Sequence, residues 1–221
     1  MNRLFILPLL CLCLLMTACG SGESKKQPAK TSKPKTEKVA PRTDFHLYVQ
    51  PYNNFSRKEA ESIAEELKKN VSKYTSLTIS QITVLPNVKL TTNEMNDAHT
   101  RYRAEKLLKR QKLGNTPGIV EVGLLDEDIS TTLHEYDDYG IMGLSYVGLR
   151  DCVISTYRVK GKDNMWKVVL HEFMHGAAGM HHCSAEDPTC FMTDHSKSPN
   201  WFKRNRICPV CNKANKQNTS K

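Results

Sequence analysis

His171-Glu172-Phe173-Met174-His175, continued by Gly176-Ala177-Ala178-Gly179-Met180-His181-His182-Cys183, is the stretch that decides how the rest of the chain is read. Residues four apart on a helix differ by about 400° of rotation, so His171 and His175 project from one face and can bind one ion. Glu172 stands one residue along. From there a carboxylate reaches a metal-bound water without taking a coordination position, and a bound zinc lowers the pKa of that water to about 7. Val168-Val169-Leu170 ahead of the motif supplies the apolar approach expected of a helix that runs through a core.

Working outward, the segment from about 163 to 178 is expected to be the last long helix. Upstream, Phe45 to Gln50 alternates with strand period. Ser56 and Glu59 have the spacing of a capping box that opens a helix with Ile63, Leu67 and Val71 on its buried stripe. Leu77 to Leu85 returns to strand type and stops at Pro86. Thr91 with Glu94 gives a second capping box, from which a long charged helix is expected as far as Leu113. Its basic run, Arg101 to Arg110, is taken as the solvated face of that helix. Two strand-rich stretches follow, Gly118 to Leu125 and Gly140 to Val159, separated by Asp126-Glu127-Asp128. That turn lacks the further oxygen ligands of a calcium loop and is expected to be a polar surface turn. The fold class is therefore mixed α/β (α+β), with the candidate site at the far end of the chain.

The segment after His175 resembles the metzincin consensus H-E-x-x-H-x-x-G-x-x-H, and His182-Cys183, Cys190-Phe191-Met192 and Cys208-Pro209-Val210-Cys211 resemble, in that order, the continuation found in archaemetzincins. The resemblance implies a twisted mixed sheet with packed helices, an active-site helix and a Met-turn at Met192. It implies peptidase activity on peptide or protein substrates, with Glu172 as general base. It also implies a catalytic zinc on His171, His175 and a third histidine, and a second, structural zinc on Cys183, Cys190, Cys208 and Cys211. Four thiolates close a tetrahedral site and leave no place for water.

Two departures matter. Ala178 stands where the consensus has glycine, and Gly179 comes one later. Counting from His171 selects His181 as the third ligand, whereas counting from Gly179 and Cys183 selects His182; the second keeps Gly-x-x-His-Cys intact and is preferred. The spacer between Cys183 and Cys190 is also longer than in the family pattern. In an oxidising compartment the same four cysteines could instead pair as two disulfides. Cys152, alone in an apolar run, is expected to be a buried, inert thiol. His46, His99, His134 and His195 belong to no motif.

The chain has 221 residues, room for one domain with tails. Residues 1–18 have a basic start, a short apolar run and a small-residue cleavage site, as in a secretory signal. Thr17-Ala18-Cys19 resembles the lipobox of bacterial lipoproteins, in which the cysteine is lipidated. Residues 19–43 are rich in Gly, Ser, Lys, Pro and Thr and are expected to be a flexible tether. The catalytic domain is expected over 44–212, and 213–221 is expected to be a disordered basic tail.

The formal charge of +9 is assigned mostly to the tails, including a C-terminal cluster of Lys203, Arg204, Arg206, Lys213, Lys216 and Lys221. This disfavours a nucleic-acid partner and suits attraction to anionic lipid or envelope polymer, or simple solubility. The protein is expected to be a monomer held in the bacterial cell envelope by a lipid anchor. The alternative function is a zinc-binding envelope lipoprotein with little or no peptidase activity. A further one is adhesion to envelope polymer through the basic tails, which would be lost at high salt.

Overall fold

Alternating residues of one strand divide between two apolar clusters, and this sets the layers of the fold. The computed structural model describes residues 43–194 and 200–218. Strand β1 (Asp44–Pro51) leads into helix α1 (Arg57–Tyr74) and strand β2 (Thr78–Val84). Then come β3 (Tyr102–Arg103), α2 (Ala104–Arg110), β4 (Ile119–Leu125), β5 (Ile129–Leu133), β6 (Tyr136–Ile141), β7 (Gly143–Ser145) and β8 (Asp151–Ser155). Helix α3 (Met165–Gly176) carries the histidine motif, and α4 (Pro209–Asn218) follows it. Of the signal and tether expected over 1–43, residues 1–42, with Cys19, lie outside the described residues, as do His195 and 219–221. Among the described residues no helix is long and apolar enough to cross a membrane.

The larger sheet has the order β2-β1-β4-β8-β7. Its neighbours are parallel except at the end, where β7 runs antiparallel to β8. Strand β4 is buried along nearly its whole length, as a central parallel strand covered on both faces should be. In β8, Cys152 and Ile154 join the cluster that contains α1 and α3, while Val153 joins the cluster under α2. The first cluster packs Ile63, Leu67 and Val71 of α1 and Val169 and Phe173 of α3 against Phe45, Leu47 and Val49 of β1. Phe45 and Phe173 meet edge to face with ring centroids 6.1 Å apart.

Helix α1 begins where the sequence places it, with the Ser56 hydroxyl accepting the Glu59 N–H at 3.3 Å. The expected long helix from Thr91 to Leu113 does not form. The Thr91–Glu94 capping box is present, but it closes a single 3-10 turn, Thr92–Glu94. The Asn96 side chain then accepts the Thr100 and Arg101 N–H groups, His99 takes a positive φ of 52°, and only Ala104–Arg110 is helical. Nor is the basic run a uniformly solvated face. Arg101 pairs with Asp128 and Asp138, Arg103 with Glu105, and Arg110 with Glu94.

Near the C-terminus, Pro209 opens α4, whose first turn needs no N–H from it, and the helix continues through 213–218, where a disordered tail is expected from composition. Asn215 within it is fully buried. Arg204 also departs from its expected place in a solvated cluster, since it is 0% exposed.

Candidate metal centre

Helix α3 reaches its C-terminal turn fully buried, with His171, Glu172 and His175 each 7% exposed. The helix ends by the turn at Gly179, whose φ of 61° is open to glycine and strained for other residues. That turn brings the Met180 carbonyl to His175, and His182 back over the helix end. One ligand nitrogen from each of His171, His175 and His182 lies within 4.8 Å of the others. His181, also exposed, is not in that group.

The two buried rings have their protons fixed by backbone. His171 Nδ1 donates to the Phe191 carbonyl at 2.7 Å, and His175 Nδ1 donates to the Met180 carbonyl at 2.5 Å. A carbonyl can only accept, so each Nε2 is left as a lone pair. Those two Nε2 atoms face each other at 3.1 Å. Burial is the main cause that drives His171 well below the usual imidazole range and His175 down to about 4, so neither ring holds a second proton near neutrality. Two lone pairs at that distance repel unless a cation lies between them. Two nitrogens about 2.05 Å from a tetrahedral ion stand roughly 3.3 Å apart, close to the spacing found.

Glu172 is pushed up to about 8 by burial, against which the Ser145 backbone N–H donates to it. Ser145 ends β7, the last strand of the sheet order, so the strand that lies over the histidine helix also steadies its carboxylate.

The second cluster is Cys183, Cys190, Cys208 and Cys211, all buried, with their sulfurs within 4.8 Å of one another. All four are free thiols, and the Cys183 and Cys208 sulfurs are 3.5 Å apart. A disulfide needs about 2.05 Å, whereas two thiolates on a tetrahedral zinc stand roughly 3.8 Å apart. Backbone N–H groups of Cys208 and Cys211 point at the sulfurs of Cys190 and Cys208, at 3.4 Å and 3.5 Å. A hydrogen bond from Cys211 holds the Cys190 thiol below the usual thiol range. Both clusters thus offer donor sets that suit zinc: neutral imidazoles in an open group, and four thiols in a closed one.

The two centres share a backbone. Phe191, whose carbonyl orients His171, is the neighbour of Cys190, and the fully buried Met192 accepts the Cys183 N–H at 2.7 Å. Trp201 adds a wall, its ring edge-on to His171 with centroids 5.7 Å apart. Motif spacing gives no signal for Phe191, Met180 or Trp201, because two of them act through main-chain carbonyls and the third through ring packing.

The remaining sequence candidates lie elsewhere. His46 bonds Thr83 at 2.8 Å and stacks on Tyr48, and His99 and His134 sit exposed at turns. Cys152 is buried in β8. Asp128 of the acidic turn is taken up by Arg101 and Arg158. A cavity of about 740 Å³ beside it, lined by Asn54, Arg101, Glu127 and Tyr157 among others, holds no residue of either cluster.

With this geometry in hand, the chain can be set beside solved structures. It is similar to an archaemetzincin from Methanopyrus kandleri, with a TM-score of 0.65 at 20% identity over 83% of this chain and 100% of that one. The fold is that of the archaemetzincins. A second archaemetzincin, from Archaeoglobus fulgidus in complex with malonate, matches with a TM-score of 0.60 at 21% identity, over 77% of this chain and 99% of that one. A zinc-dependent peptidase from Methanocorpusculum labreanum matches with a TM-score of 0.58 at 16% identity, over 76% and 99%. No family model and no curated protein sequence matches. The match takes in 99–100% of each of these structures.

Proposed function

We propose that this chain is a zinc-dependent metallopeptidase that hydrolyses peptide bonds. In this reading His171, His175 and His182 hold the catalytic zinc, and Glu172 is the general base. The observation that carries it is the pair of buried imidazoles whose unprotonated Nε2 atoms face each other at 3.1 Å, beside a buried carboxylate on the same helix.

His171, His175 and His182 would hold the zinc, which would supply an acidified water and polarise the scissile carbonyl. With a cation at the histidines to favour its ionised form, Glu172 would accept the proton of the attacking water and return it to the leaving amine. The Ser145 N–H holds the carboxylate in place meanwhile. Beyond Ser145, β7 is terminal in the sheet order, and its outer edge offers main-chain groups to an extended peptide. Main-chain pairing of that kind accepts many sequences. His171 and His175 stay in one tautomer because the Phe191 and Met180 carbonyls accept from them.

Cys183, Cys190, Cys208 and Cys211 hold a second, structural zinc in this proposal, which braces the Met192 segment and takes no part in the chemistry. We also propose that the protein is exported, lipidated at Cys19 and held as a monomer in the bacterial cell envelope; the residues before Asp44 support this by their sequence pattern.

The test is zinc content and cleavage of an unbiased peptide library by the parent chain and by Glu172→Ala. Two zinc ions in both proteins, with cleavage by the parent alone, is the expected result. Zinc in both with cleavage by neither would overturn the peptidase and leave a zinc-binding lipoprotein.

A further inference from the structure

Arg204 is the only lysine or arginine that is buried among the described residues, and it is completely so. A guanidinium removed from water costs several kcal/mol unless acceptors and opposite charge surround it. The acceptors are main-chain. Its Nη1 donates to the Thr193 carbonyl, its Nη2 donates to the Asp194 carbonyl at 3.1 Å, and its Cζ lies 5.2 Å from the Trp201 ring centroid. Its Nε is buried with no hydrogen-bond partner. Carbonyl dipoles and a ring face stabilise a cation without cancelling its charge.

The cancelling charge is close by. Burial is the main influence against the Arg204 cation, and Cys190, Asp194 and Cys183 act the other way. Thr193, whose carbonyl accepts from Arg204, donates its own N–H to the Cys190 carbonyl at 3.2 Å. Four thiolates around a divalent ion carry a net charge of about −2, itself costly to bury among Phe191, Met192 and Trp201. Each centre therefore lowers the cost of burying the other.

We propose that Arg204 is the counter-charge of the four-cysteine centre, and that as a positioning residue it ties that centre to the histidine centre. The tie runs through Thr193, whose carbonyl also accepts the Trp201 Nε1–H at 3.1 Å, and through the edge of Trp201 on His171. This rests on the reading of the four cysteines as a metal site.

Cobalt(II) tests it, because sulfur-to-metal charge-transfer absorption reports the thiolate site directly and owes nothing to activity. The full chain, freed of metal, is titrated as the parent, as Arg204→Lys, which keeps the charge, and as Arg204→Gln, which keeps a donor without it. Folding is followed by circular dichroism. The expected result is that Gln weakens cobalt binding at the cysteines about 10- to 100-fold and Lys restores most of the loss. Equal affinity of Gln and Lys overturns the proposal. Should the Gln protein fail to fold, Lys decides alone: affinity within about five-fold of the parent supports the charge role, and a larger loss overturns it. A parent that shows no thiolate absorption removes the metal reading of the cysteines and the role of Arg204 with it. Its zinc content at the histidines would then stand separately.

Discussion

Gly143 lies against Glu172 so closely that a methyl group at Gly143 would stand 2.8 Å from the Glu172 Cγ and 3.0 Å from Oε1. The edge strand and the carboxylate are fitted to each other without a spare atom. Gly143→Ala must therefore move the carboxylate, and misplacement on the order of 1 Å costs about 100-fold in rate. Cleavage of a peptide substrate should fall by about that factor while zinc content stays unchanged. An unaltered rate would show that Glu172 does not work from the position it occupies here.

Two adjacent histidines, His181 and His182, are placed differently with respect to the helix pair. His182 shares the 4.8 Å group with His171 and His175, and His181 does not. His182→Ala should weaken zinc at the histidine centre by more than about 100-fold in chelator competition, and His181→Ala by only a few-fold. The opposite order would mean that the turn at Gly179 rearranges on metal binding.

Cys211→Ser should remove one zinc per chain and lower stability by about 3 kcal/mol or more, since binding energy of a structural zinc is folding energy. Thermal unfolding should also fall on adding a strong chelator and remain unmoved by a thiol reductant. If reductant alone lowers it, the cysteines are bridged in the folded protein and the four-thiol centre does not exist.

Asp151, at the start of β8, is raised to about 6 by burial and by Glu121, opposed by the Gly114 N–H, Arg150 and Lys112. A carboxyl whose folded pKa is raised binds its proton more tightly in the folded chain. Its charge penalty is absent below the unfolded value near 4, grows as pH rises, and is complete above about 6. Asp151→Asn should accordingly stabilise the protein above pH 6 by about 1 kcal/mol, once solvent screening of a partly buried carboxyl is allowed for, and leave it unchanged near pH 4. Denaturant unfolding at the two pH values measures this. A gain at the lower pH would point to a packing effect.

How legible these features are in the sequence depends on how far their causes lie along the chain. Ser56 with Glu59, and His171 with His175, are pairs within one turn, and both helices form where that spacing places them. Thr91 with Glu94 is just as local and its capping box is real, yet the long helix fails. What breaks it is Asn96 gathering backbone donors and Arg101 turning to Asp128 and Asp138, residues that arrive from the β4–β5 turn and from β6. No window of sequence around Thr91 contains those carboxylates. The choice between His181 and His182 is open to counting because it depends on the positive φ at Gly179. Arg204 reads as one more charge in a basic stretch, and only the packing of Thr193 and Trp201 around it shows a buried cation.

The sharing of backbone between the two centres also has an order in time. His171 and His175 leave the ribosome, and cross any membrane N-terminus first, ahead of Phe191, whose carbonyl sets the His171 tautomer, and well ahead of Cys208 and Cys211. A nascent chain that already displays the histidine motif still lacks the segment that aims it. The geometry of both clusters is thus among the last properties the growing polypeptide acquires.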